Sequence, residues 1–138
     1  MSARRFVDTN VLVYAFDESE PAKREVAQQL LNAAQPGELI VSSQVLHEFY
    51  VVVTRKLATP LPATAAAQVV RELARLEVVP VDAALSLAAV DRSGGTQLSL
   101  WDALIVEAAR RGRCEQLLTE DLADGQAIDE VVIVNPFA

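Results

Sequence analysis

The stretch Phe6-Val7-Asp8-Thr9-Asn10-Val11-Leu12-Val13-Tyr14-Ala15-Phe16 decides the fold: a short apolar run reaches an aspartate, and an amphipathic segment starts directly behind it. A strand that ends on a carboxylate where a helix begins is typical of a parallel α/β sheet, whose strand ends are where ligands bind. The pattern recurs at Asp121, after Gln116-Leu117-Leu118-Thr119. Two further acids, Glu48 and Asp102, interrupt otherwise apolar helical patterns. Four isolated carboxylates at apolar boundaries point to a divalent-metal site rather than to a solvated surface.

Outward from this stretch, short β-branched runs alternate with longer helical patterns, which is the signature of a parallel sheet covered by helices. Strands are expected at 4–7, 38–41, 78–81, 115–119 and 131–134, and helices at 9–16, 21–34, 43–57, 63–76, 83–91 and 100–111. The expected fold is a single α/β domain over residues 1–138, with a central, mostly parallel five-stranded sheet flanked by helices. Ser19 is the expected cap of the helix that Pro21 opens, and Gly112 is expected to close the last helix in the C′ position. Ser93-Gly94-Gly95-Thr96 reads as a flexible loop.

A chain of 138 residues, 51% of them hydrophobic, has enough apolar surface for one core. No apolar segment reaches the roughly 20 residues that a membrane helix needs. The N-terminus, Met1-Ser2-Ala3-Arg4-Arg5, leads straight into the first strand and leaves no room for a signal peptide, so a cytoplasmic protein is expected. The single cysteine, Cys114, makes no internal disulfide, and the single histidine, His47, excludes any mechanism that needs two imidazoles. The net charge of -7 argues against a general nucleic-acid binder. Local basic clusters at Arg4-Arg5, Arg55-Lys56 and Arg110-Arg111-Gly112-Arg113 soften that objection.

Each acid has a structural reading beside the functional one. Asp8 is placed to cap the helix that starts at Thr9, but a cap needs only one of Asp8, Thr9 and Asn10, and the hydroxyl and amide that follow it are suited to orienting a carboxylate. Glu48 shares a helix face with valines, where a carboxylate is costly unless it is coordinated, paired with His47 or Lys56, or reaches water. Ser99-Leu100-Trp101-Asp102 matches a capping box, and the apolar run behind it sets Asp102 at the positive end of a buried helix. Asp121 lies in a strand-end turn with Glu120 and Asp124, and either Asp121 or Asp124 suits the fourth position. Oxygen donors select hard cations, so Mg²⁺ or Mn²⁺ is implied, and phosphodiester hydrolysis is the natural chemistry.

Phe6-Val7-Asp8-Thr9-Asn10-Val11-Leu12, the helix-borne Glu48, Ser99-Leu100-Trp101-Asp102-Ala103 and Leu118-Thr119-Glu120-Asp121-Leu122 together resemble PIN-domain ribonucleases, and the size resembles the VapC-type toxins of toxin–antitoxin pairs. The resemblance spans the chain. It implies a four-acid site of Asp8, Glu48, Asp102 and Asp121 that binds Mg²⁺ or Mn²⁺ and cuts RNA, with Thr9, Asn10, Ser99 and Thr119 in support and Asp124 assisting or replacing Asp121. It further implies a homodimer and a cognate antitoxin that covers the site. Hydrolysis by an activated water would leave a 5′-phosphate, whereas attack by the ribose 2′-hydroxyl would leave a cyclic phosphate. The alternative is a PIN-like module that binds RNA or protein without cutting. A phosphoaspartate receiver or haloacid-type phosphatase ranks third, because the D-x-D of the phosphatase is broken by Asn10.

Overall fold

Phe6 and Val7, successive residues of β1 (Arg5–Val7) that point to opposite faces of the sheet, are both fully buried, so the strand is covered on both faces. It pairs in parallel with β2 (Leu39–Ser42) on one side and with β4 (Gln116–Leu118) on the other. The computed structural model describes residues 3–138, and its sheet has the order β3-β2-β1-β4-β6-β5, with β3 at Glu77–Val79, β5 at Ala127–Ile128 and β6 at Val131–Val134. All pairings are parallel except β5 with β6. The chain builds outward from β1 to β2 and β3, then crosses to start again at β4. The boundary between β1 and β4 is therefore the topological switch point, where a parallel sheet opens a crevice at its carboxyl end.

Seven consecutive residues of α6 (Leu100–Arg111), Ala103 to Ala109, are buried, because this helix lies across β2, β4 and β6 and packs along α5 (Ala83–Gly95). The remaining helices are α1 (Thr9–Tyr14), α2 (Pro21–Ala33), α3 (Ser43–Arg55) and α4 (Ala63–Leu73), of which α3 packs on α1, α4 and β2. Phe49 and Val53 carry the apolar stripe of α3 inward, both completely buried. No helix among the described residues is long and apolar enough to cross a membrane.

The structure corrects four sequence expectations. The sheet has six strands, not five, because a two-residue strand forms a tight hairpin with β6 around Asp129, which adopts φ 53°. The Ser19 hydroxyl donates to Asp17 instead of capping α2, whose N-cap is Glu20 with no side-chain bond. Gly94 and Gly95 lie in the last turn of α5 rather than in a loop. Gly112 follows α6 with φ -74°, and the left-handed residue is Arg113 at φ 56°. Glycine suits position 112 for another reason: a Cβ there would come within 3.2 Å of Ile40 and 3.3 Å of Val79.

The charge on Glu107, buried in α6, is neutralised by Arg92 of α5, whose Nε lies 2.6 Å away and whose Nη2 also reaches Asp129 at 2.6 Å. Arg110 adds a second contact to Glu107 at 3.2 Å. Removing one partner of a buried pair strands the other charge. Arg92→Ala is accordingly expected to lower stability by about 2–4 kcal/mol in urea unfolding, the surviving Arg110 contact keeping the loss from being larger. Adding Glu107→Gln to that variant should recover part of the loss.

Candidate active site

Asp8 sits one residue past the end of β1, where its carboxylate does two jobs. Oδ1 accepts from the Thr9 amide at 2.7 Å and so caps α1, while Oδ2 accepts from the Thr119 hydroxyl at 2.8 Å across the switch point. The cap reading of Asp8 is thus correct but incomplete. Thr119 is itself positioned because β4 ends beside β1, and its oxygen also accepts from the Asp121 amide at 3.1 Å. One hydroxyl at the end of β4 holds the Asp8 carboxylate and the backbone of Asp121.

The two residues after Asp8 extend this network. The Thr9 hydroxyl donates to Glu48 Oε1 at 2.9 Å, linking the start of α1 to the middle of α3. Asn10 donates through Nδ2 to Asp121 Oδ2 at 3.3 Å. Asp102 comes from the first turn of α6, where Ser99 caps the helix by accepting from the Asp102 amide at 3.1 Å. Asp8, Glu48, Asp102 and Asp121 all line a single cavity of about 430 Å³, together with Thr9 and Asn10. Ser99 and Asp124 are not in its wall: Ser99 caps α6, and Asp124 Oδ1 accepts from the Asn135 amide at 2.8 Å, tying its loop to the chain beyond β6. Between the two candidates for the fourth acid, the pocket holds Asp121.

The cavity also has walls that sequence reasoning did not assign. Gln44 lies one helical turn before Glu48, so both side chains fall on one face of α3. Its Nε2 stands 3.5 Å from both Glu48 Oε1 and the Trp101 carbonyl, bridging α3 to the start of α6. The only signal for it was that i, i+4 spacing. Lys56, considered from sequence as a partner for Glu48, makes no ion pair among the described residues and lines the cavity with His47, Val51, Val52, Trp101 and Ile105.

Burial sets the electrostatics. Asp8 is only 7% exposed, and its pKa is pushed up to about 6, chiefly by desolvation. The bonds from Thr119 and Thr9 work against this rise, while the charges of Asp121 and Glu48 add to it. Asp121 is also raised, by partial burial and by the charges of Asp102 and Glu120, against the hydrogen bond from Asn10. None of the four acids makes an ion pair among the described residues, and acids that raise one another's pKa in a partly dry cavity are in the condition a hard cation relieves. The donor set fits Mg²⁺ or Mn²⁺, being all oxygen. Among the described residues no three acids, histidines or cysteines close into a cage, so a cation here would be held by few carboxylates and keep much of its water. The Gln44 Oε1 atom is buried without a partner at the edge of the same cluster.

Comparison with known proteins bears on the family and the fold. The family model described as the PIN domain matches residues 5–123. No curated protein sequence matches the chain. Among solved structures, a toxin–antitoxin complex from Klebsiella pneumoniae is similar at TM-score 0.70 and 23% identity, covering 96% of this chain and 97% of that one. VapC20 of Mycobacterium tuberculosis, described as a toxin that cleaves the sarcin–ricin loop, is similar at TM-score 0.68 and 23% identity, with 85% and 91% covered. DNA-bound VapBC from Salmonella typhimurium follows at TM-score 0.60 and 22% identity, with 95% and 96% covered.

The raised pKa of Asp8 has a consequence for stability. Folding shifts the group from its ordinary 3.8 to about 6, so the folded state binds the proton more tightly and is favoured while the carboxyl is neutral. Without divalent metal, the contribution of Asp8 should therefore be complete below about pH 4 and lost as pH rises towards 6, a change of about 1–3 kcal/mol. Asp8→Asn should flatten that limb and raise the melting temperature at pH 7 in EDTA, as measured by calorimetry across the range.

Proposed function

The chain belongs to the PIN-domain family, and we propose that it is a divalent-metal-dependent endoribonuclease acting as the toxin of a toxin–antitoxin pair. One observation carries this reading: four carboxylates from α1's cap, α3, α6 and the loop after β4 line one cavity at the switch point of the sheet. The proteins of like fold named above support the toxin assignment, since they include a toxin–antitoxin complex and a toxin that cleaves the sarcin–ricin loop. Metal-assisted hydrolysis also accounts for a site with one histidine and no nucleophilic serine or cysteine among the residues lining it.

In this reading Asp8, Glu48 and Asp102 would hold the cation, in part through its water, and Asp121 would be a further ligand or position a second ion or the attacking water. Mg²⁺ or Mn²⁺ bound there would polarise a phosphoryl oxygen, make water more acidic and stabilise the leaving oxygen. The residues of the chain supply position. Thr119 and the Thr9 amide fix the Asp8 carboxylate, the Thr9 hydroxyl fixes Glu48, and Asn10 fixes Asp121. Preset donors of this kind keep the acids from reorganising as the phosphodiester is attacked in line. The proposed assembly is a homodimer whose antitoxin covers the cavity.

Incubation of the purified chain with a mixed RNA pool should give cleavage in Mg²⁺ or Mn²⁺ and none in EDTA, with 5′-phosphate ends. Asp8→Asn should reduce cleavage at least 100-fold while leaving partner binding intact. Cyclic phosphate ends, or cleavage that survives EDTA, would reject the hydrolytic route. Binding without cleavage under every metal would favour the non-catalytic module, which the net charge of -7 also favours.

A further inference from the structure

Trp101 is 62% exposed, although it neighbours a helix segment that is buried throughout. Tryptophan is usually well buried, so an indole held in water calls for an explanation. Its place is specific: it directly precedes Asp102 in the first turn of α6 and lines the cavity that the four acids share. Its backbone is tied there by the contact between its carbonyl and Gln44.

Just past the end of α3, the cavity wall carries a cation with no ion pair among the described residues. Of the basic clusters along the chain, most members are already spent in ion pairs: Arg4 on Glu77, Arg5 on Glu38, Arg110 on Glu107 and Asp129, and Arg111 on Asp82. Lys56 has no such partner among the described residues, and it lines the acid cavity. An exposed aromatic face and an unpaired lysine on opposite elements of one pocket are the two parts of a single-strand nucleic-acid site, in which a base stacks and a phosphate meets a positive charge. A paired helix keeps its bases stacked on one another and does not offer a face to the indole.

We infer that Trp101 is the platform on which an unpaired base of the RNA stacks beside the carboxylates, and that Lys56 receives a neighbouring phosphate. The pair selects single-stranded or looped RNA and sets the phosphodiester over the acids. It also answers how a chain of net charge -7 admits a polyanion: a cation at the cavity itself faces the phosphate, while Arg4, Arg5, Arg110 and Arg111 are paired with carboxylates. This inference rests on the nuclease reading for its substrate class, but its test is a binding measurement that does not require cleavage.

Trp101 is the only tryptophan of the chain, so its fluorescence reports this position alone. The full chain, with Ca²⁺ replacing Mg²⁺ to slow hydrolysis, is titrated with a fluorophore-labelled single-stranded 12-mer oligoribonucleotide and with the same sequence in a duplex. Saturable quenching by the single strand is expected, with much weaker binding of the duplex. By anisotropy, Trp101→Ala should weaken single-strand binding about 5- to 100-fold, as the loss of one base stack implies, and Trp101→Phe should restore most of it. Lys56→Gln should weaken binding and reduce the salt slope by about 0.7, the value for one phosphate contact on a single strand. Circular dichroism of each variant should match the parent, since both side chains are at the surface.

Indole emission that stays unmoved while labelled RNA binds, or equal affinity of Trp101→Ala, would overturn the inference and leave Trp101 for a protein contact. Equal affinity for the duplex would overturn it too. These outcomes differ from failure of the nuclease reading, which would show as absent cleavage by the parent chain in Mg²⁺ and Mn²⁺.

Discussion

The buried Asp8 carboxylate is the constraint on which the rest of the structure depends. It is held at the sheet's switch point by the Thr9 amide and the Thr119 hydroxyl, two donors that arrive from neighbouring strand ends only because β1 and β4 pair in parallel and in register. Without that pairing the charge would be desolvated and unsupported. With it, Thr119 also anchors the Asp121 backbone, and Thr9 reaches across to Glu48. Sheet register, helix capping and the geometry of the acid pocket are thus one arrangement.

The arrangement leaves electrostatic strain in place. Two hydrogen bonds reduce the penalty on Asp8 without cancelling it, because Asp121 and Glu48 add negative charge from the other side. A structure selected only for stability would replace one of these acids by a neutral residue of like shape. Glu107 offers the contrast within the same molecule: it is equally buried, but Arg92 and Arg110 neutralise it fully. Acids kept close and unneutralised at a strand end are what a binding site for a cation requires.

Much of this was legible in the sequence because the informative residues sit at element boundaries. The end of β1 at Asp8 and the start of α6 at Ser99 both follow from a polar residue that meets an apolar run, and the structure has both. Other features had no local signal. The two residues of β5 are too few to show alternation, and their pairing depends on β6 lying alongside. Gly94 and Gly95 read as a loop, yet α5 continues through both. Gly112 reads as a position of backbone freedom, whereas it is the close approach of Ile40 and Val79 that crowds a side chain there. Asp121 and Asp124 could not be separated by spacing, since only the course of the loop decides which of them faces the cavity and which holds Asn135. Gln44 and Lys56 belong to the pocket through the packing of α3 near α6, which is a tertiary fact.

The central claim is that the acids at the switch point act together as one cation site. Titration of the metal-free chain with Mn²⁺, followed by electron paramagnetic resonance at pH 7.5 and again at pH 5, tests it most directly. Saturable binding that weakens at the lower pH, as protonation of Asp8 competes with the ion, and that is lost in both Asp8→Asn and Glu48→Gln, is the expected result. Absent binding, or binding indifferent to both substitutions, would contradict it.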